Sequence, residues 1–225
     1  MSNKTGYLAL RLEGPMQSWG YDSQFNRRNT GLMPTKSAVA GMCCAALGYS
    51  RGSDDEKAFL EKFLSLKMLA ISIPRIEGKR VFEVRRLIDY HTVEGTIKAS
   101  GASNPNAVIT YRQYLNDAAF GVILSGDKHL LDNAAQALKD PAWGIWLGRK
   151  SCIPTAPVCA GLFETEADAV KSLVGEKSIS SFTRQMDVDD FKQGIDSLLD
   201  NAISFDSRKR QFVPHRINKI EAEKG

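Results

Sequence analysis

The chain has 225 residues, 43% of them hydrophobic and 25% charged, which is enough to bury the core of one large domain or two small ones and excludes neither binding nor catalysis. No apolar run approaches the roughly 18 residues of a membrane span. Met1-Ser2-Asn3-Lys4-Thr5 carries no apolar signal region, so a cytoplasmic protein without membrane contact is expected; the net charge of +4 does not by itself argue for a nucleic-acid partner.

Residues 6–13 alternate apolar and polar and predict a strand. It runs into the "LEGPMQSWG" of residues 12–20. Gly14 and Gly20 lack a β-carbon and let a phosphate or base reach the main chain, Gln17 and Ser18 offer hydrogen bonds, and Trp19 either stacks on a base or packs in the core. A long loop over 14–34, of the length that is functional or disordered, carries Arg27 and Arg28. "PTKSAVAGMCCAALGY" then predicts a helix capped by Thr35 or Ser37 and stopped by Gly48. Lys36 in its first turn opposes the helix dipole. Free amides, a hydroxyl cap and a cation together suit a phosphate; the alternative is an ordinary surface lysine.

A short amphipathic helix follows over 54–66, then a strand over 67–76, a turn at 77–79 and a partner strand over 80–93. "EGTIKASGASNPNA", with Lys98, has no periodicity and is either a disordered loop or a hairpin that orders on a partner. Extended patterns return over 107–115, which includes Arg112, and over 118–124, before a helix over 127–139. This order predicts an α+β fold, a ferredoxin-like (RRM-like) sandwich, although the aromatic signature of RRM domains is missing. From Pro141 onward proline, glycine and tryptophan multiply. A boundary is placed between a core over 1–142 and a small C-terminal β-rich region over 143–225, in which 145–163 and 209–217 pair.

Charge is segregated. No acid lies between Asp22 and Asp54, between Glu94 and Asp117, or between Asp140 and Glu164, and these windows hold Arg27, Arg28, Lys36, Arg51, Lys98, Arg112, Arg149 and Lys150. Such windows build a positive face for a polyanion, unless they are solvated loops. Tyr90-His91 invites an acid/base reading, as in metal-free ribonucleases, but no second histidine is near in sequence, and a structural or RNA-contacting role is preferred. The four cysteines lack C-x-x-C spacing and are expected as buried thiols, with no metal. No P-loop, Rossmann pattern or G-x-S-x-G appears, and no cofactor is expected.

In this order, "YLALRLEGPMQSWG", "PTKSAVAGMCCAALG", "LIDYHTVEG", "YRQYLNDAAF" and "LGRKSCIP" resemble the CasD subunits (Cas5 family, RAMP superfamily) of type I-E CRISPR Cascade, over residues 7–163. The resemblance implies a ferredoxin-like core with a thumb-like insertion, here 94–107, and a small C-terminal β region. It implies a non-catalytic subunit of an antiviral ribonucleoprotein that grips the 5′ handle of CRISPR RNA. That subunit meets a CasC-type backbone subunit, a CasA-type large subunit, and target DNA near the start of the guide–target duplex. The handle-gripping surface would comprise Gly14, Gln17, Ser18, Trp19, Gly20, Arg27, Arg28, Thr35, Lys36, Ser37, Tyr90, His91, Lys98, Arg112, Arg149 and Lys150. The alternative is the metal-independent endoribonuclease activity of the related C-subtype subunit.

Overall fold

The computed structural model describes residues 4–223 apart from Tyr21, Glu83, Ala99, Phe191 and Ile195. Met1 to Asn3 of the signal reading, Glu83 of the expected partner strand and Ala99 of the expected thumb therefore lie outside the described residues. In chain order the elements are β1 (Thr5–Glu13), β2 (Met16–Gln17), β3 (Arg27–Arg28), α1 (Lys36–Ala46), α2 (Asp54–Leu64), β4 (Lys67–Ile73), β5 (Arg75–Glu77), β6 (Arg80–Phe82), β7 (Arg85–Val93), β8 (Val108–Asn116), β9 (Ala119–Asp127), α3 (Lys128–Lys139), β10 (Cys159–Phe163), α4 (Glu166–Val174), β11 (Arg184–Val188), β12 (Asp196–Ser204) and β13 (Gln211–Ile220), with one 3-10 turn at Ile179–Ser181.

The fold is α+β and its main sheet is antiparallel, in the order β10-β1-β9-β4-β11-β13-β12. Period-two alternation sorts its side chains. Leu8, Leu10 and Leu12 of β1, with Met68 and Ala70 of β4, face the core built with α1, α2 and α3. Ala9, Leu69, Ile71 and Ile123 face the opposite side, where Ala169 and Leu173 of α4 cover them. Ala40, Gly41, Ala45 and Ala46 make α1 a thin helix that lies close to its neighbours. The thiols of Cys43, Cys44 and Cys152 are buried, and burial raises the pKa of each.

Two expectations change here. The stretches over 145–163 and 209–217 do not pair with each other: β10 closes one edge of the sheet against β1, while β13 lies on the far side between β11 and β12, and β11 joins the sheet through β4. A boundary at 142/143 would cut a continuous hydrogen-bonded sheet. The expected strand over 80–93 is divided as well. β6 forms a hairpin with β5 around Gly78 (φ +60°), and β7 pairs with β8 along its whole length, not with β4. One edge of β8 takes β7; its other edge takes β2 antiparallel at Leu115 and Asn116 and β3 parallel at Tyr111 and Arg112. Among the described residues no helix is long and apolar enough to cross a membrane.

Candidate nucleic-acid interface

The glycine-rich turn after β1 answers first to the protein's own backbone. A β-carbon on Gly14 would lie 2.7 Å from the Ile153 carbonyl oxygen, and one on Gly148 only 1.8 Å from that of Ser18. The segment over 147–153 therefore lies directly on the turn, and the Ser18 N–H donates to the Leu147 carbonyl at 3.0 Å. Trp19 is buried: its Nε1 donates to Gln17 Oε1 at 3.1 Å, and Gln17 Nε2 donates to the carbonyls of Leu12 and Ala118. This chain of bonds satisfies every polar atom of two buried side chains. Gly14, Gln17 and Trp19 are thus corrected from ligand contacts to packing, and Trp19 is the core ring, not a stacking ring.

The anion site expected at the start of α1 is also filled from within. Thr35 stands at the N-cap in extended conformation, but neither its hydroxyl nor that of Ser37 caps the helix; Asp200 from β12 does, its Oδ2 accepting from the Lys36 N–H at 2.8 Å. Lys36 is 2% exposed, and its ammonium donates to Asp187 Oδ2 at 2.8 Å and to the Leu66 carbonyl. His215 completes the cluster, with Nδ1 3.2 Å from Asp187 Oδ1 and Nε2 bonded to Asp200. A buried lysine with a carboxylate partner is no longer free to take a phosphate, so Lys36 is a correction.

Burial opposes charge on His215, but the nearby Asp187 carboxylate and the hydrogen bond to Asp200 outweigh it and raise its pKa to about 9. Burial also works against the Asp187 charge, yet the neighbouring His215 and the bond from Lys36 prevail and lower its pKa. A raised histidine pKa contributes stability that is complete below its ordinary value near 6.5 and is lost as pH rises through about 9. The depressed Asp187 contributes above the ordinary carboxylate range and loses its share as the pH falls through its lowered pKa. We expect the stability difference between wild type and His215→Gln, read by urea denaturation, to shrink by about 1–2 kcal/mol between pH 6.5 and 9. A constant difference over that range would mean that His215 is neutral in the cluster.

The exposed residues gather on the sheet around β8. Register places Tyr90 opposite Tyr111, and Tyr111 opposite Arg27, so the three share one face. The Tyr90 and Tyr111 rings meet edge to face at 5.7 Å, and the Arg27 guanidinium lies 5.8 Å from the Tyr111 centroid. Tyr90 is 59% exposed and Tyr111 38% exposed, with Ile88 and Ile109 exposed beside them on the same face. Arg28, opposite Arg112, lies on the other face with His91. Neighbours along a strand point to opposite faces, so Tyr90 and His91 do not converge on one reacting group. His91 approaches Asp89 at 3.6 Å, His129 is exposed on α3, and His215 is in the buried cluster.

Arg149 joins this sheet to the turn. It donates to the carbonyls of Gln113 at 3.0 Å and Arg28 at 2.8 Å, and its guanidinium stacks 4.6 Å from the Tyr114 centroid. Lys150 is exposed, 5.8 Å from the Trp146 ring. Beyond β7 and β8, the loop over 94–107 is drawn together by an Ile97–Ser103 bridge and carries exposed Lys98 and Ile97. Arg27, Arg28, Arg149, Arg112, Tyr90 and His91 are therefore on one small sheet and its bracing loop, while Lys36 is elsewhere. Ser18, Gly20, Thr35 and Ser37 line a separate cleft of about 390 Å³.

Two residues of this region escaped sequence reasoning. Tyr111 occupies the centre of the aromatic strip, and a tyrosine inside the extended pattern over 107–115 was its signal. Phe25 is 90% exposed at the tip of the Gln24–Arg27 turn with φ +48°, a conformation that bulky residues rarely adopt. Its signal was a lone phenylalanine in a polar loop.

Residues 7–219 match the family model described as CRISPR-associated protein (Cas_Cas5). The CRISPR system Cascade subunit CasD of Escherichia coli (strain K12) is 33% identical over 179 residues, 77% of this chain and 78% of that one. Among solved structures, a chain of a CRISPR RNA-guided surveillance complex superposes with a TM-score of 0.76 at 29% identity, covering 96% of this chain and 90% of that one. A crystal structure of a Cas protein superposes with a TM-score of 0.67 at 28% identity, covering 97% and 95%. A match along nearly the whole chain, in sequence and in fold, places it: this chain belongs to the Cas5 family of CRISPR-associated proteins.

Proposed function

We propose that the chain binds the 5′ handle of a CRISPR RNA without cutting it and caps one end of an RNA-guided surveillance complex. It works in the cytoplasm with no cofactor. It joins a CasC-type backbone subunit to a CasA-type large subunit, and the β7–β8 hairpin with the loop over 94–107 serves as the thumb, close to target DNA where guide pairing begins. The scaffold is read as ferredoxin-like. The chain order β1-α1-β4-β9-α3-β10, apart from α2, the β5–β6 hairpin and the small sheet around β8, together with the spatial order β10-β1-β9-β4, supports that reading.

The observation that carries the proposal is the Arg27–Tyr111–Tyr90 strip, with Arg28, Arg112 and the Arg149 brace on the same small sheet. Single-stranded RNA is held by cations on its phosphates and by rings on its bases, and this strip supplies both side by side. Solvent-exposed Phe25, Ile88 and Ile97 are costly on a free chain and fit a surface that partners cover. The divergent directions of Tyr90 and His91, and the dispersal of the three histidines, favour binding over endoribonuclease chemistry.

Reversing Arg27 and Arg28 to Glu is expected to weaken binding of repeat-derived RNA at moderate salt by tenfold or more. It should also lower the log–log salt slope by about 0.7 for each phosphate that is no longer neutralised. Electrophoretic titration at several salt concentrations reads both, and unchanged affinity and slope would remove this surface from the proposal. Repeat RNA incubated with the protein in EDTA is expected to stay intact; specific cutting that disappears in His91→Ala would establish the endoribonuclease instead.

A further inference from the structure

The β5–β6 hairpin is a basic surface that the strip does not use. Residues 75–86 hold five cations, Arg75, Lys79, Arg80, Arg85 and Arg86, against two acids, Glu77 and Glu83. All five cations are exposed. Arg75 is committed: its guanidinium donates to Glu77 and lies 3.8 Å from Asp117. Lys79, Arg80, Arg85 and Arg86 have no ion-pair partner among the described residues. The hairpin pairs with no third strand, and a β-carbon on Gly78 at its tip would meet nothing within 4 Å. The tip cations Lys79 and Arg80 therefore stand on a free ribbon.

Pairing sorts the side chains of this ribbon. Arg75 opposite Phe82 and Glu77 opposite Arg80 share one face, and Ile76 opposite Val81 occupies the other. Ile76 is 48% and Val81 62% exposed, an apolar pair with nothing over it. Phe82 is the ribbon's one ring, and it is already covered. It is half-buried, with the Arg75 and Arg85 guanidinium groups 6.0 and 5.7 Å from its centroid. A two-stranded ribbon is marginal in water by itself, and an exposed β-branched pair on it calls for a cover. The cover must accept cations at the tip and aliphatic groups beside them.

The missing ring decides which polyanion fits. A single strand is held by stacking its bases on aromatic side chains, and this ribbon has none to offer. A duplex keeps its bases stacked and presents phosphates and grooves instead. The major groove of B-form DNA, about 12 Å wide, admits a two-stranded ribbon and offers thymine methyl groups to apolar side chains. That of duplex RNA is too narrow for side chains to read. We infer that the β5–β6 hairpin seats in the major groove of double-stranded DNA, with Ile76 and Val81 toward the base edges and Lys79 and Arg80 on the flanking phosphates. The inference rests on the reading above that target DNA passes this end of the chain, and it assigns the contact to a ribbon separate from the RNA strip. Arg86 shares its face of β7 with Ile88 and Tyr90, so the basic surface is continuous between the two.

The test titrates the full chain against three labelled probes: a short duplex DNA, a duplex RNA of the same sequence and single-stranded repeat-derived RNA. At about 50 mM salt, wild type is expected to prefer duplex DNA to duplex RNA. Lys79→Gln/Arg80→Gln should weaken duplex DNA binding about tenfold and lower its log–log salt slope by about 0.9 per lost phosphate contact. Single-stranded RNA binding should stay within about twofold. The charge-conserving Lys79→Arg/Arg80→Lys should bind like wild type. Ile76→Ser/Val81→Ser should weaken duplex DNA binding with the slope unchanged, since no phosphate contact is lost. Thermal midpoints of these exposed variants should match wild type. Unchanged duplex DNA affinity in both the glutamine and the serine variants overturns the assignment. So does an equal loss with all three probes, which would reduce the hairpin to general charge attraction. Lost assembly with partner subunits at unchanged duplex affinity gives the ribbon to an acidic protein surface instead. Wild type that binds single-stranded RNA but no duplex DNA sinks this inference alone. Duplex DNA binding that depends on Lys79 and Arg80, in a protein that binds no RNA, upholds it and sinks the RNA-handle reading.

Discussion

Replacing Lys36 by methionine is expected to destabilise the protein by about 3–5 kcal/mol, because it removes one member of a buried ion cluster and leaves the others in place. Asp187 and Asp200 would keep their burial with His215 as the sole cationic partner among these four groups, and the Leu66 carbonyl would lose the ammonium donor. The cluster ties α1 to β11, β12 and β13, and Asp187 also accepts from the Met68 N–H of β4 at 3.1 Å, so the loss spreads across the sheet. For a chain of this length, a midpoint about 10 °C lower is expected in thermal melts. RNA affinity, measured at a temperature where the variant stays folded, should remain within about twofold of wild type, since an interaction worth less than ~0.4 kcal/mol is within that factor. A stable variant with strongly reduced RNA affinity would restore the phosphate site at the α1 N-terminus and overturn the structural role of Lys36.

Gly148→Ala is the second large effect. Gly148 has φ +99°, where a β-carbon is strained in any surroundings, and here that carbon would stand 1.8 Å from the Ser18 oxygen. The backbone has to move, and the Ser18–Leu147 hydrogen bond and the Arg149 bonds to Gln113 and Arg28 move with it. A loss of about 2–4 kcal/mol is expected, in the upper range for single substitutions. It should be accompanied by weakened RNA binding, because the brace between the glycine turn and the basic sheet is displaced. Gly20→Ala is the control: its β-carbon would stand 3.2 Å from the Asn29 oxygen, a tight fit that small adjustments relieve. Equal stability of the two variants in denaturant titrations would refute the close approach of the two loops.

Local periodicity carried much of the fold. The strand over 6–13 and the helices near 54–66 and 127–139 were legible because each repeats its apolar positions at the spacing of its own element, and the helix near 36–47 and the strand near 118–124 because each is an apolar run between turn or cap residues. The partner of β7 was not legible. An alternating strand looks the same whether it pairs with β4 or with β8, and choosing between them depends on which faces are already covered. Cations were visible as types and windows, but their fates were not. Arg27 and Arg28 lie on an exposed strand, Arg149 is half-buried across backbone carbonyls and a tyrosine ring, and Lys36 is sealed among carboxylates 151 and 164 residues away.

The ordered motifs from "LEGPMQSWG" to "LGRKSCIP" determined the family, since they hold their spacing without reference to any fold. Tertiary structure alone decided which of those residues face solvent. It buried Gln17, Trp19 and Lys36, and it brought Arg51, Trp143 and Arg210 around one recess. The physical reason is that periodicity is a property of neighbouring residues, whereas desolvation and ion pairing depend on residues far apart in the chain. A lysine reads as a surface charge until the carboxylate that pairs with it has been located in space.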